Sequence, residues 1–378
     1  MTVSLKDLTA LGIPENQSRT LMEHGFDLAT FQRLQQMLSS GEFPMAKNQL
    51  TEPISPPLSS DLTPWPENTT PLTKAQEEVG RQAVKEGQVA AVVLNGGMAT
   101  RFGGVVKGVV NVLGNKSFLG LRCLDVAEAS KKAPMFLLNS FATLADTHAH
   151  LSENAYFGLT PNRVHLLCQN ISLRLTENGQ LFRTEEGQVS LYAPGHGDLF
   201  SALAHSDRFL EFKAKGGKYL LVSNVDNVGA TLSPQVIGAH IAGKRPVTVE
   251  VAAREPGDQG GAPARVRHRV AIIEGFRFPK NFDIASIPVF NTNTMVLDVD
   301  AVKADYPLTW FRADKKVDDR PVVQFERLMG EVTSFVDAHY LVVPRDGNAS
   351  RFLPVKTPED LNHLRPQIAQ RLSALGPF

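Results

Sequence analysis

Five stretches of the chain are apolar almost throughout for the length of a strand: "VAAVVL", "PMFLLN", "VHLLCQ", "KYLLVSN" and "PVTVEVA". Runs of this kind, without polar alternation, suit strands buried on both faces of a parallel sheet. Most are separated by stretches with helical spacing, such as "SFLGLRCLDVAEASKK" and "NSFATLADTHAHL". That order predicts a doubly wound, mostly parallel α/β sheet of Rossmann-like character. Between residues 171 and 192 the pattern changes to short alternating strands with turns at Asn178-Gly179 and Glu186-Gly187, predicting an antiparallel hairpin insertion.

Ahead of this region, Leu5, Leu8 and Leu11, and then Leu28, Phe31, Leu34 and Leu38, recur at helical spacing on either side of a Gly-Ile-Pro turn. A small helical region over 1–45 follows. Seven of the 24 prolines fall between Pro44 and Pro71, which forbids a helix or a central strand there. With Trp65 and scattered Ile and Leu, residues 46–74 read as an extended segment lying on the main domain. The main domain is then expected over 75–378. It opens with a polar helix that puts Glu77, Glu78 and Lys85 outside, and from about residue 335 it includes the last helix. "RVRHRV" at 265–270 reads as the wet face of one strand, and "DKKVDDR" at 314–320 as a solvated loop.

Composition narrows the function. Lys plus Arg equals Asp plus Glu at 39 each, so no global field draws the chain to nucleic acid or to an anionic membrane. No segment approaches the ~18 uninterrupted apolar residues of a membrane span, and the first thirty residues carry no signal-like run, so the chain reads as cytoplasmic. Cys123 and Cys168 sit among apolar neighbours and read as buried thiols outside any chemistry. His148 and His150, two apart on a helix, face different ways and make no metal pair.

The chemistry-bearing stretch is "AAVVLNGGMATRFGG", residues 90–104, where a buried strand ends on a glycine loop followed by Arg101, Lys107 and Lys116. The carboxyl end of such a strand is where open α/β folds bind nucleotides. The spacing fits neither the dinucleotide fingerprint G-x-G-x-x-G nor the P-loop G-x-x-x-x-G-K-[ST]. A loop of about twenty residues is long for a compact domain and is usually functional or disordered. It suits a nucleoside triphosphate laid along the backbone with a late lysine on the phosphates; a ligand-free connection is the alternative.

"LNGGMATRFGG", "PMFLLNSFAT", "LLCQN", "APGHGDLFSAL", "KYLLVSNVDNVGA", "VFNTNTM", "VVQFERLMG" and "RFLPVKTPEDL" follow one another in this chain. In that order, over roughly residues 75–362, they resemble the UDP-sugar pyrophosphorylases, and among these the UTP:glucose-1-phosphate uridylyltransferases. The resemblance implies a nucleotide-diphospho-sugar transferase fold and a Mg²⁺-dependent reaction of UTP with glucose 1-phosphate. Another sugar such as N-acetylglucosamine 1-phosphate, or a non-catalytic sugar-nucleotide sensor, are the rival readings.

By resemblance, UTP meets Leu94, Asn95, Gly96, Gly97, Gln169 and Gly195, and the sugar phosphate meets His196, Asn224, Glu250, Asn291 and Asn293. Lys107 and Lys356 are the catalytic cations, although Val106 stands where the family usually has proline before the first. Asp226 is the magnesium carboxylate, and its place directly after an apolar strand suits that role independently. Gln169 can donate and accept at once, as reading the imide edge of uracil requires. Transfer to a sugar phosphate needs no general base, because the nucleophile is already an anion; cations and oriented donors carry the task. The further C-terminal β-helical domain of eukaryotic family members is expected to be absent, and the resemblance sets no oligomeric state.

Overall fold

In the computed structural model, which describes residues 3–67, 69–258 and 260–373, an eight-stranded sheet divides the core into two layers. Its strands are β1 (Leu62–Thr63), β2 (Val89–Leu94), β3 (Met135–Asn139), β4 (Val164–Cys168), β5 (Tyr219–Asn224), β6 (Val247–Ala253), β7 (Val289–Asp298) and β8 (Ala338–Val343). They lie in the order β1-β8-β6-β7-β5-β2-β3-β4. All adjacent pairs are parallel except those of β7, which runs antiparallel to both β5 and β6. The mixed, mostly parallel α/β sheet is the one the apolar runs predict.

The continuous apolar runs are explained by what each face meets. In β2, Ala90 and Val92 enter one core with Phe136, Leu138, Leu220 and Val222, while Val89, Ala91 and Val93 enter the other with Met135, Leu137 and Leu221. A strand with both faces dry has no place for polar alternation. β7 is less legible, because Asn291, Thr292, Asn293 and Thr294 interrupt it. Its register with β6 shifts between Glu250 and Val251, and Asn293 takes φ 59° at this bulge.

Two local expectations change. "RVRHRV" is not one strand: Ala262–Val266 and Arg269–Ile273 form a hairpin that turns at Arg267-His268, with Ile54–Ser55 added alongside. Arg265 is bound by Asp61 through two bonds of 2.7 and 2.6 Å, so it is a tether for the proline-rich segment. "DKKVDDR" is not a loop either. Phe311–Val317 pairs with Arg320–Glu326 in a ribbon whose two turn residues, Asp318 and Asp319, take φ 50° and 55°, as a two-residue hairpin of primed type requires. The 171–192 insertion forms its turns at Gly179 and Gly187, both with positive φ.

Helices α1 (Leu5–Ala10), α2 (Glu15–Glu23) and α3 (Leu28–Ser39) pack on these ribbons. Leu8, Leu21, Phe31, Leu34 and Leu38 share a core with Ile171, Leu173, Leu175, Val189, Val323 and Phe325. The Pro-rich segment reaches the main sheet as β1, an edge strand, the position that tolerates proline. Cys123 and Cys168 are free thiols, and burial pushes them up to about 12 and about 11, so both stay protonated.

Helix α4 (Pro71–Lys85) and helix α9 (Pro234–Gly243) touch backbone to backbone. A Cβ added at Gly80 would lie 1.9 Å from the Pro234 carbonyl oxygen, and one added at Gly238 would lie 2.0 Å from that of Gln76. Gly80→Ala therefore sets two effects against each other. Helix propensity favours alanine by roughly 1 kcal/mol, whereas forcing the helices apart costs about 1–3 kcal/mol. Overpacking should win, and thermal unfolding should show a midpoint several degrees lower; a raised midpoint would mean that the helices separate freely.

Candidate functional site

The register of four parallel strands brings their carboxyl ends into one row. Leu94 pairs with both Asn224 and Leu138, and Asn139 pairs with Cys168. The segments that leave this row begin at Asn95, Ser140, Gln169 and Val225, so residues far apart in sequence meet along one edge.

The glycine segment is more ordered than a long loop. Met98–Ala99 pairs with Val105–Val106, and Asn111–Leu113 with Lys116–Ser117, making two short hairpins. Gly103 and Gly104 turn the first at φ 85° and 79°. The Gly97 carbonyl accepts the Lys107 amide at 3.2 Å, which fixes where the lysine leaves the hairpin. Lys107 Nζ then forms an ion pair with Asp226 Oδ2, both side chains being mostly covered.

Asp226 is held in a turn whose partners lie far along the chain. Buried Arg122, on helix α5 (Phe118–Ala129), donates to the Ala230 carbonyl at 2.7 Å, to that of Asn224 at 2.9 Å and also to that of Asn227. Asn227 accepts the Leu353 amide at 2.9 Å, and the Val355 amide donates to the Asp226 carbonyl at 3.1 Å. Lys356 is the next residue; it is exposed and starts the turn into helix α10 (Pro358–Ser373), where the Asp360 carboxylate accepts its backbone N–H at 2.9 Å. Lys107 thus pairs with the Asp226 carboxylate, and the backbone just before Lys356 binds the carbonyl of the same aspartate.

Gln169 lies across Gly96. A Cβ at Gly96 would come within 2.1 Å of Gln169 Nε2, so only glycine allows the glutamine this position. Leu94 itself is partly buried against the core, leaving its backbone at the edge. Asn95 is fully buried, and its Nδ2 donates to Asn139 Oδ1 and Thr147 Oγ1, each at 2.8 Å. Its side chain ties loops together beneath the surface, so the nucleotide contact implied by resemblance does not fall to that amide.

The turn at Pro194–Asp198 faces this edge. Gly195 takes φ 100°, and a Cβ there would meet the Arg327 carbonyl oxygen at 2.7 Å. His196 Nδ1 accepts the Met329 amide at 3.1 Å, which leaves the ring proton on Nε2. Burial pushes the imidazole down to about 4, so it is a neutral donor.

Of the sugar-side candidates, Asn224 and Asn293 meet: Asn293 Nδ2 donates to Asn224 Oδ1 at 2.9 Å, and Asn291 Oδ1 accepts the Asn293 amide at 3.0 Å. The β7 bulge is what turns Asn293 toward the strand ends. Glu250 departs from what the resemblance implies. It is fully buried and held on both oxygens by Arg351, at 2.9 and 2.7 Å, with no face left for a hexose. A buried carboxylate needs such a partner, and a bidentate arginine is the strongest available.

The family model of the UTP--glucose-1-phosphate uridylyltransferases matches residues 35–371. The chain is 29% identical over 294 residues to UTP--glucose-1-phosphate uridylyltransferase of Musa acuminata, covering 72% of this chain and 62% of that one. Against the Saccharomyces cerevisiae protein of the same name the figures are 30% over 326 residues, 79% and 61%. The chain thus spans about three fifths of the length of these relatives. Among solved structures, a UDP-glucose phosphorylase from Trypanosoma brucei superposes with a TM-score of 0.71 at 25% identity, over 96% of this chain and 77% of the other. The Trypanosoma brucei UDP-N-acetylglucosamine pyrophosphorylase reaches the same score at 22% identity, over 82% and 72%, which speaks for the fold alone. With most of its length matched by that family model, this chain belongs to the UTP--glucose-1-phosphate uridylyltransferase family.

Proposed function

We propose that this chain joins UTP and glucose 1-phosphate to give UDP-glucose and pyrophosphate. The observation that carries the reading is the meeting of Lys107, Asp226 and the backbone before Lys356 at the carboxyl edge of β2 and β5, with Gln169 laid over Gly96 beside them. The names of the relatives point to the same reaction. Two polyanions must be brought together there, and the site offers two lysines, a neutral histidine donor and free glycine amides.

In this reaction an oxygen of the sugar phosphate forms a bond to the α-phosphorus of UTP while the bond from that phosphorus to pyrophosphate breaks. Gln169 and the Gly195 turn hold the base, and Gly96 and Gly97 lie under the phosphates. Lys107 exchanges its carboxylate partner for phosphate oxygens and stabilises the charge that grows on the leaving group. His196 donates from Nε2 to the sugar phosphate, and Lys356 holds that phosphate for in-line attack. Asn224 and Asn293 offer the hexose hydroxyls a joined pair of amides.

Asp226 suits a magnesium ion that arrives with its substrate. Among the described residues no group of three or more His, Cys, Asp or Glu gathers to hold a metal. One carboxylate plus substrate phosphates is the usual magnesium arrangement. When bound there, the ion would supply positive charge to the phosphate oxygens.

Pyrophosphate release by the purified protein, with UTP and glucose, galactose or N-acetylglucosamine 1-phosphate in separate reactions, tests the reading. Fast release with glucose 1-phosphate is expected; none with any sugar, while UDP-glucose still binds, would leave a sensor instead. Lys107→Ala should lower kcat by about 10²–10³-fold, the scale of losing one charge-stabilising group, with little change in either KM. Gly96→Ala should displace Gln169 and raise the KM for UTP at least about tenfold, while the KM for glucose 1-phosphate stays put. His196 titrates from 6.5 when unfolded to about 4 when folded, so between those values the unfolded chain binds the extra proton. Stability from this group is therefore complete above 6.5 and lost as the pH falls toward 4. Thermal unfolding against pH should fall more steeply there for the native protein than for His196→Gln.

A further inference from the structure

The two turns that would grip the base, Gln169-Asn170 and Pro194–Asp198, come from different parts of the chain. A cavity of about 170 Å³ opens between them, lined by Asn170, Pro194, Trp310 and Arg327 together with Asp27 of the N-terminal helical region. What spans the gap is polar. Asp198 is almost completely buried; its Oδ2 accepts the Asn170 amide at 2.9 Å, and its Oδ1 accepts from Arg327 Nη2.

Arg327 also shapes the second turn through its own backbone. Its amide donates to the Pro194 carbonyl at 2.7 Å, and its carbonyl accepts the Gly197 amide at 2.9 Å. At both Gly195 and Gly197 an added Cβ would come within 2.7 Å of Arg327. The guanidinium lies 4.4 Å from the centre of the Trp310 ring, which covers its face, and its Nε is buried without a partner. An orphaned donor is a standing cost in such a place, tolerated where the geometry that causes it is needed. Burial raises the Asp198 carboxyl, and the Arg327 guanidinium beside it opposes that rise.

We propose that the Asp198–Arg327 ion pair is a positioning device that sets the separation of Gln169 from Gly195, and thereby the choice of uracil over cytosine. The proposal rests on the UTP reading above. Uracil and cytosine differ at one edge, where a carbonyl and N–H face an amino group and bare nitrogen. A glutamine amide tells them apart only if its oxygen and nitrogen are held in place, because a loose amide rotates to suit either. The ion pair reaches Gln169 through the adjoining Asn170 amide and reaches Gly195 through the Arg327 backbone. Neither Asp198 nor Arg327 needs to touch the nucleotide.

The test compares kcat/KM for UTP and for CTP, with glucose 1-phosphate held constant, in the native chain, Arg327→Lys, and the double variant Asp198→Asn/Arg327→Met. The double variant avoids stranding a lone buried carboxylate, and its thermal midpoint reports whether it folds. We expect the preference for UTP to fall about tenfold or more in the double variant, with the KM for glucose 1-phosphate unchanged. Arg327→Lys keeps a cation for Asp198 and should recover most of the preference. A folded double variant that discriminates as the native chain does would overturn the positioning role. A native chain without UTP preference would instead overturn the functional reading, and this one with it.

Discussion

The strands at the centre of this sheet are dry on both faces, so each segment leaving their carboxyl ends must satisfy its own polar groups without water. That constraint organises everything at the active edge. Arg122 has no carboxylate within a direct bond and takes three carbonyls of the Asp226 turn instead. The Asn95 amide donates to the Asn139 side chain below the glycine hairpin, and Asn227 ties the Asp226 turn to the 351–353 segment. The groups meant for substrate are those that remain above this buried network.

The fold was legible wherever a segment answers to its neighbours in sequence. Unbroken apolar runs announce strands with two dry faces, and leucines at helical spacing announce α1 to α3. What escaped depends on partners far along the chain. The 311–326 ribbon is charged on its outer face and packs its inner residues Val323 and Phe325 against α1 to α3 and the 171–192 insertion. β7 hides because its bulge places Asn and Thr in mid-strand, where Thr292 donates to the Glu250 carbonyl and Asn293 to the Asn224 side chain.

The same distinction divides the site. Gln169, Gly96, Lys107 and Asp226 each sit directly after or near a strand end, and strand ends can be read. Arg122, Asp198 and Arg351 are buried charges, and Arg327 a half-buried one, whose partners lie roughly a hundred or more residues away, and nothing local marks them. Glu250 shows the reverse error. The family pattern suggests a ligand and the alternation in "VTVEVA" could equally send it to solvent, whereas its carboxylate is buried on Arg351, 101 residues on. A carboxylate's neighbours in sequence do not reveal whether it faces a cavity or a guanidinium.

The bare contact between α4 and α9 has a bearing on how the molecule can move. Two helices whose backbones meet at Gly80 and Gly238 cannot slide or roll past each other, so that flank of the sheet behaves as one stiff plate. At the other end of β2, an added Cβ at Gly97, Gly103 or Gly104 would find nothing within 4 Å. The tip of the glycine hairpin therefore has open space around it, where the contact between the two helices has none.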